Sequence, residues 1–281
     1  MNLAAADEAL ARNCRFNQRV LVHTLNPGST LGDHTGGSLI FQDHRPYFAG
    51  DDLRRIDWRA YARTDQLLLK TYQEEISPFL ELLVDTSASL AVTPAKEQAL
   101  RRWTWFLTTV GLHGGYTVSI QRLGHDPDAL RPDELQHLPW KFSATHSLPA
   151  ALTQHWKGRY RALRVVLSDF LFDTTAAERL LAVAARDATA LFALQILDPE
   201  EIDPPWRGAF RLEDADSADH QELIIGEREH AQYREKLAGH QLLLSRALRR
   251  RGGAFVTLNA GVETKELVLN TLTPVGILSL G

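Results

Sequence analysis

Residues 79–89 read FLELLVDTSAS, and they decide the fold that we expect for this chain. They begin with a short apolar run of strand length, which ends in Asp85 and is followed by Ser87 and Ser89. A short apolar run of this kind is typical of a buried strand in a parallel sheet. The segment therefore predicts a strand with Asp85, Ser87 and Ser89 at and just beyond its carboxyl end.

Four more runs of apolar and β-branched residues follow this strand and alternate with helical segments. The first connecting helix has a clear start at Thr93-Pro94, because Thr is a favoured N-cap and Pro a favoured first helical residue. Gly114-Gly115 marks its end. Strands that alternate with helices predict an α/β fold in which a mostly parallel sheet is flanked by helices. The four further strands are expected at 116–120, 164–169, 190–198 and 254–258.

The first 76 residues differ in composition from the rest of the chain. They are rich in Gly, Asp and Arg and hold too few apolar residues for a large core, with strand-like pieces at 39–41 and 67–72. We expect residues 1–76 to form a β-rich N-terminal module packed on a main domain of residues 77–281. Within that domain, an acidic turn at 213–216 separates two strand-like segments and predicts an inserted hairpin near 199–226.

Composition and charge exclude several classes of protein. The chain has 281 residues, of which 31 are Lys or Arg and 35 are Asp or Glu, for a formal net charge of −4. This balance argues against a surface devoted to nucleic acid, which needs a concentrated positive field. The single cysteine, Cys14, allows no intrachain disulfide and no cysteine-based zinc or iron–sulfur site.

The sequence also carries no pattern of an export signal or a membrane anchor. Asp7 and Glu8 stand where a signal peptide would be positively charged and then apolar. No stretch approaches the ~18 consecutive apolar residues of a membrane helix. We therefore expect a cytoplasmic protein with no transmembrane segment.

Two acidic residues end separate predicted strands. Asp85 and Asp169 should lie at the same edge of the parallel sheet, where open α/β sheets bind their ligands. With Ser87 and Ser89, Asp85 can turn three oxygens toward one point, and hard oxygen ligands with few charges suit Mg²⁺ or Mn²⁺. Thr145 precedes the next helix and offers a further hydroxyl. The alternative for an isolated Asp-x-Ser-x-Ser is a polar turn in which both serines cap the following helix.

The order of these residues resembles the metal-ion-dependent adhesion site (MIDAS) of von Willebrand factor A domains. A second resemblance is more specific. Residues 50–63 read GDDLRRIDWRAYAR, and this block is similar to that of domain-of-unknown-function family 58, the MoxR-associated bacterial proteins. The resemblance extends over roughly residues 28–280.

The resemblance implies a site and a function. In such sites Ser87 and Ser89 bind the cation directly, Asp85 and Asp169 bind it directly or through water, and Thr145 matches the threonine of the second loop. The cation is expected to be Mg²⁺, or else Mn²⁺ or Ca²⁺, and a carboxylate of a partner protein fills its open position. The family further implies a MoxR-type AAA+ ATPase as a partner, and a role in chaperone-like assembly or maturation of a client protein.

The block at 50–63 mixes acidic and basic residues around a tryptophan. One interpretation is a set of salt bridges that fixes the N-terminal module to the α/β domain, with Asp51 capping a short helix. The other is a docking face for a partner, with arginine and tryptophan side chains as anchors. The candidate partner-binding residues are Arg54, Asp57, Trp58 and Arg63.

We expect a binding module rather than an enzyme. The chain lacks the Gly-x-x-x-x-Gly-Lys-Ser/Thr motif of P-loop ATPases and also lacks Gly-x-Gly-x-x-Gly and Gly-x-Ser-x-Gly. The alternative is a metal-dependent phosphohydrolase with Asp85 as nucleophile. Such enzymes usually place a second Asp two residues further on as acid and base, and Ser87 occupies that position here.

Overall fold

The computed structural model describes residues 5–17, 38–48, 51, 52, 54, 56–75, 78–123, 128–136, 140–142, 148–213 and 220–281. The chain divides into two compact units, one of Met1–Asn26 with Pro78–Gly281 and one of Pro27–Ser77. The N-terminal residues thus belong with the main domain and not with the module that we predicted over residues 1–76. The reason is a long-range pairing, because the strand Cys14–Phe16 runs antiparallel to the strand Leu278–Leu280.

The described helices and strands are numbered here in chain order. The helices are α1 (Ala5–Asn13), α2 (Trp58–Thr64), α3 (Pro94–His113), α4 (Leu148–His155), α5 (Thr174–Ala184), α6 (Pro199–Ile202), α7 (Glu227–Arg249) and α8 (Thr264–Leu267). The strands are β1 (Cys14–Phe16), β2 (Ser38–Pro46), β3 (Leu68–Glu75), β4 (Phe79–Asp85), β5 (Thr117–Leu123), β6 (Asp128–Leu130), β7 (Leu163–Ser168), β8 (Ala190–Leu197), β9 (Gly208–Glu213), β10 (His220–Ile225), β11 (Ala254–Asn259) and β12 (Leu278–Leu280).

A six-stranded sheet forms the centre of the larger unit. Its strand order is β11-β8-β7-β4-β5-β6, and every neighbouring pair is parallel except β5 with β6. The chain begins in the middle at β4, runs outward to one edge, returns to β7 and runs to the other edge, which is the order of a doubly wound sheet. The predicted α/β fold, with a mostly parallel sheet flanked by helices, is confirmed.

Helices cover both faces of this sheet because successive residues of its buried strands point to opposite sides. Leu82 and Val84 of β4 share one apolar cluster with Trp103 of α3. Leu83, between them in sequence, belongs to a second cluster with Leu180 of α5. Truncating a fully buried leucine costs about 2–5 kcal/mol, so this two-sided core holds the carboxyl ends of β4 and β7 firmly in place.

The connections follow the signals read from the sequence. Thr93 caps α3 by accepting a hydrogen bond from the Lys96 N–H, Pro94 is the first helical residue, and Gly114 ends the helix. The predicted hairpin is present as the antiparallel pair β9 and β10. Its turn, including residues 214–216, lies outside the described residues.

The smaller unit contains an antiparallel pair, β2 and β3, with a register shift between Phe41 and Asp43. These strands correspond to the pieces expected at 39–41 and 67–72. Helix α2 lies between them in sequence. No helix in the described part of the chain combines the length and the apolar character that crossing a bilayer requires.

Candidate functional site

The carboxyl ends of β4 and β7 are joined directly by side chains. Asp85 is the last residue of β4 and Ser168 the last of β7, and these two strands are neighbours. The Ser168 hydroxyl donates to Asp85 Oδ2 at 2.7 Å, and the Ser87 N–H donates to Asp85 Oδ1 at 3.0 Å. The structure therefore brings the loops that follow Asp85 and Ser168 to one rim of the sheet.

The two serines of the Asp-x-Ser-x-Ser segment face one another. Ser87 Oγ lies 2.9 Å from Ser89 Oγ. Ser87 precedes a single 3-10 turn at Ala88–Ala91, but its side chain makes no capping hydrogen bond there, and Thr93 caps α3. The polar-turn alternative, in which both serines cap the following helix, is therefore not what the structure contains.

Asp169, the residue after β7, is held by an ion pair that the sequence did not reveal. Its Oδ2 accepts a hydrogen bond from Lys96 Nζ at 2.9 Å, and its Oδ1 accepts one from the Leu171 N–H at 3.3 Å. Lys96 lies in the first turn of α3 and is fully buried. The same ammonium donates to Glu201 Oε1 at 2.6 Å, so it bridges two carboxylates.

The charges at this rim perturb one another in a dry environment. Burial raises the pKa of the Asp85 carboxyl to about 7, and the charge of Asp169 acts in the same direction, whereas hydrogen bonds from Ser168 and Ser87 oppose the shift. Burial lowers the pKa of Lys96, but the charges of Asp169 and Glu201 outweigh it and leave that pKa above its usual value. Lys96 is therefore charged, and Asp85 and Asp169 are close enough to repel each other.

A buried polar chain fixes the backbone of Asp169. Gln195, in the otherwise apolar strand β8, donates from Nε2 to the Asp169 carbonyl oxygen at 2.7 Å. Its Oε1 accepts from Gln241 at 2.8 Å and from Thr257 at 2.9 Å. Gln241 and Thr257 hold the Gln195 amide in place, and that amide holds the backbone of Asp169. The position of Asp169 is therefore fixed at its carbonyl oxygen by Gln195 and at its carboxylate by Lys96.

The donor set at the rim fits a hard divalent cation. It offers the carboxylates of Asp85 and Asp169 and the hydroxyls of Ser87 and Ser89. Two adjacent ligands at ~2.1 Å from an octahedral Mg²⁺ are about 3 Å apart, and the two serine oxygens are 2.9 Å apart. No group of three or more His, Cys, Asp or Glu side chains suited to a metal occurs among the residues that the structure describes. An ion here would therefore rely on hydroxyl and water oxygens beside two carboxylates.

One predicted ligand cannot be placed. Thr145 lies, with the rest of 143–147, outside the described residues. Its role stays a prediction, as does metal binding by Asp85, Ser87, Ser89 and Asp169.

The candidate partner-binding residues separate into two kinds. Asp57 is buried, caps α2 by accepting from the backbone N–H groups of Arg59 and Ala60, and lies 2.8 Å from His44 Nε2. Trp58, by contrast, is 62% exposed. Arg54 and Arg63 are exposed as well.

The predicted helix cap in this block concerns Asp51. Among the described residues, Asp51 forms a two-pronged ion pair with Arg45 at 2.7 and 2.8 Å and accepts from the Phe48 N–H. Helix α2 begins after Asp57, six residues further on, and Asp57 is its cap. Asp51 and Asp57 are thus used inside the smaller unit, and of the four candidate partner-binding residues Trp58, Arg54 and Arg63 are accessible.

Sequence reasoning missed Lys96, Glu201 and Gln195 as parts of the site. Two signals could have pointed to them. A lysine in the first turn of a helix opposes the helix dipole and so calls for a nearby acid. A glutamine inside a fully buried apolar strand has to satisfy its amide internally.

The fold and the rim together define the class. This is a doubly wound α/β protein whose carboxylates and hydroxyls meet at the point where the strand order reverses, between β4 and β7. The sequence model of the family described as "Protein of unknown function DUF58" matches residues 43–134 and 136–242. The chain belongs to the DUF58 family.

Similar proteins include curated sequences and solved structures. The chain is 27% identical over 253 residues to "Uncharacterized protein Rv1480" of Mycobacterium tuberculosis, a match that covers 82% of this chain and 79% of that protein. BatB from Bacteroides thetaiotaomicron superposes with a TM-score of 0.36 and 10% identity, over 70% of this chain and 98% of BatB. The SpRpn10 VWA domain gives a TM-score of 0.38 and 12% identity, over 69% and 95% of the two chains.

Proposed function

We propose that this protein is a non-enzymatic, metal-dependent protein-binding module. Asp85, Ser87, Ser89 and Asp169, with Thr145, would hold a divalent cation, with Mg²⁺ preferred over Mn²⁺ or Ca²⁺. When bound, the cation supplies an open coordination position for a carboxylate of a partner protein. The module would act in the bacterial cytoplasm as a partner or adaptor of a MoxR-type AAA+ ATPase in assembly or maturation of a client protein.

The observation that supports the metal site best is the oxygen cluster itself. The two serine hydroxyls lie 2.9 Å apart and are not used as helix caps. Beside them, Asp85 is buried with a pKa raised to about 7, in part by the charge of Asp169. A buried pair of repelling carboxylates is stabilised by a cation placed between them.

The proposed partner is supported by family membership and by the sequence. The family resemblance links such chains to MoxR-type ATPases. This chain has no P-loop motif of its own, so an adaptor role that uses the ATPase activity of another protein is consistent with its composition. The exposed Trp58 and the neighbouring Arg54 and Arg63 offer anchors of the type that dominate protein interfaces.

The enzymatic alternative receives no support from the geometry. Both oxygens of Asp85 accept hydrogen bonds, from Ser168 and from the Ser87 N–H, and the residue is 2% exposed. A carboxylate nucleophile has to reach the reacting centre of a substrate much larger than a single ion, and the burial of Asp85 restricts that approach. Ser87 also stands where a second acid would be needed, and a serine hydroxyl does not serve as a general acid or base near neutral pH.

Calorimetric titration with MgCl₂ and MnCl₂ tests the metal site. We expect wild type to bind, and Ser87→Ala/Ser89→Ala to bind at least about tenfold more weakly because two ligands are lost. Ser245→Ala/Ser279→Ala removes the same number of hydroxyls from α7 and β12 and should leave binding unchanged. Equal affinity in wild type and in the rim variant would refute the proposed ligands.

Interferometry with the immobilised protein and a MoxR-type ATPase from the same bacterium tests the partner. Binding should require divalent cation and be lost in excess chelator. Trp58→Ala should weaken it, whereas Tyr160→Ala, a control at 63% exposure against 62% for Trp58, should not. Binding that persists in chelator and in Asp85→Ala would contradict the metal dependence.

A further inference from the structure

Lys96 lies where a lysine is unfavourable, both at the start of a helix and out of contact with solvent. It lies in the first turn of α3, where a positive charge opposes the helix dipole. Its whole side chain is buried, although a buried ammonium is stable only when it is paired. The pairing is supplied by Asp169 Oδ2 at 2.9 Å and Glu201 Oε1 at 2.6 Å.

Glu201 belongs to a ring of hydrogen bonds and keeps one contact that does not involve the Lys96 ammonium. Its second oxygen, Oε2, accepts from the Asp198 N–H at 2.8 Å. The Asp198 side chain accepts from the Thr93 hydroxyl at 2.7 Å, and Thr93 in turn caps the Lys96 N–H. This ring fixes Glu201 and the backbone of Lys96 whether or not the ammonium contacts Asp169.

The ammonium therefore has one permanent partner and one that a metal would also need. Asp169 is a candidate metal ligand, and its Oδ2 is the atom that Lys96 contacts. If Asp169 turned toward a divalent ion, Lys96 would still be paired with Glu201. The exchange would leave no buried ammonium without a partner.

We infer that Lys96 is a resident counter-cation of the rim, which neutralises Asp169 and which a divalent ion has to displace from Asp169 Oδ2 in order to bind that carboxylate. This inference rests on the proposed function, because it concerns how the same rim holds its ion. Lys96 weakens divalent binding by its charge, and Glu201 strengthens it by drawing that charge away from Asp169. Lys96 is a positioning residue and not a ligand.

The two variants that test this inference have opposite expected effects. Lys96→Met removes the competing charge, and we expect it to bind Mg²⁺ about tenfold or more tightly than wild type. Glu201→Gln removes one of the two carboxylates that Lys96 contacts, so Asp169 becomes its only charged partner. We expect this variant to bind Mg²⁺ several-fold more weakly, because the ion then competes with a more strongly held ammonium. Lys236→Met removes a lysine from the exposed surface of α7 and controls for net charge. Calorimetry gives the affinities, and the Mg²⁺-induced rise in melting temperature gives a second readout.

The signs of these effects separate the inference from a structural role. If Lys96 and Glu201 only support the fold, both variants distort Asp169 and both weaken Mg²⁺ binding, which would overturn the inference. If Lys96→Met does not fold, Glu201→Gln still decides, because unchanged or tighter binding by that variant would overturn it. Binding by Lys96→Met but not by wild type would support the inference and contradict metal dependence of the native protein. No binding by any variant would overturn both.

Discussion

The two ends of the β4–β7 strand pair each bury charged side chains, yet they are built differently. At the amino ends, Arg164 of β7 donates from Nε to Glu81 Oε2 of β4 at 2.8 Å. Its Nη1 bonds the carbonyl oxygens of Ala184 and Arg186, and its Nη2 bonds that of Arg159. At the carboxyl ends, Asp169 and Glu201 share the ammonium of Lys96, and the buried carboxyl of Asp85 lies close enough to Asp169 for the charge of Asp169 to raise its pKa.

The amino-end pair is complete and electrically balanced. Both oxygens of Glu81 accept from the Arg159 N–H at 3.1 Å, and the Trp156 ring lies 4.8 Å from the Arg164 guanidinium carbon. The positive charge of Arg164 is balanced by the negative charge of Glu81, so this end of the strand pair has no net charge to attract an ion. The carboxyl-end rim has more carboxyl groups than cations, because Lys96 is the partner of both Asp169 and Glu201 and Asp85 lies near Asp169. The comparison teaches that a balanced buried ion pair supports the fold, whereas an unbalanced one is suited to bind a cation.

The largest effect is predicted for a substitution that breaks the balanced pair of Arg164 and Glu81. Arg164→Met leaves the Glu81 carboxylate buried without its cation, and we expect the free energy of unfolding to fall by about 3–5 kcal/mol. Urea denaturation measures this change. Arg207→Met removes an arginine from an exposed pair with Glu227 and should cost less than about 1 kcal/mol. A comparable loss in both variants would show that the amino-end pair is not special.

The second prediction concerns pH and the rim. Because Asp85 has a pKa raised to about 7, protons compete with a metal for it below that pH. We expect the affinity for Mg²⁺ to fall about tenfold per pH unit below pH 7 and to level off above it. Calorimetry from pH 5.5 to 8 measures this. An affinity that is flat across the range would mean that Asp85 is not a ligand.

The third prediction is that removing a rim charge does not destabilise the protein. The folded protein holds a proton on Asp85 up to about pH 7, whereas the unfolded chain releases it near the ordinary value of 3.8. Stability without metal therefore falls as pH rises from about 4 to 7. We expect Asp85→Asn to be about 1–2 kcal/mol more stable than wild type at pH 8 and no more stable at pH 4.

Urea denaturation in chelator at both pH values measures the difference. Asp85→Gln, which also removes the charge but adds a methylene group to a packed site, separates the effect of charge from that of size. If Asp85→Asn loses stability at pH 8, the rim is a structural pair like that of Arg164 and the contrast between the two ends disappears.

The smallest predicted effect lies in the other unit. Asp57 caps α2, so Asp57→Ala should cost about 1 kcal/mol and speed hydrogen exchange of the α2 amides roughly fivefold. Mg²⁺ affinity should not change. Asp51→Ala, in an exposed pair with Arg45, should have a weaker effect on α2. The opposite ranking would favour Asp51 as the cap that the sequence suggested.

Local patterns in the sequence were enough to predict five of the six strands of the sheet and the edge at which Asp85 and Asp169 lie, but not the edge strand β6. The apolar runs gave β4, β5, β7, β8 and β11, and Thr93-Pro94 gave the start of α3. Asp85 and Asp169 could be placed at one edge because parallel strands present their carboxyl ends together.

What the sequence could not give are contacts between distant residues. Lys96 pairs with partners 73 and 105 residues away, and nothing in its neighbours along the chain specifies them. The assignment of the first residues to the N-terminal module differs from the structure for the same reason, since β1 pairs with a strand more than 260 residues later and Met1–Asn26 belong to the larger unit. Asp57 is the cap of α2, and the sequence did not single it out because Asp51 and Asp52 also precede the helix and only the start of the helical turn decides between them.

The pairing of β1 with β12 sets an order of events during synthesis. Residues 278–280 leave the ribosome after every strand of the central sheet, so β1 spends translation without the partner that it has in the folded protein. Hydrogen bonds from the Gly281 N–H to the Asn13 carbonyl oxygen and from the Asn17 N–H to the Ile277 carbonyl oxygen form at the same late stage. Cys14, the first residue of β1, is buried in the folded protein, and its pairing partner Leu280 is therefore synthesised after all the strands of the central sheet.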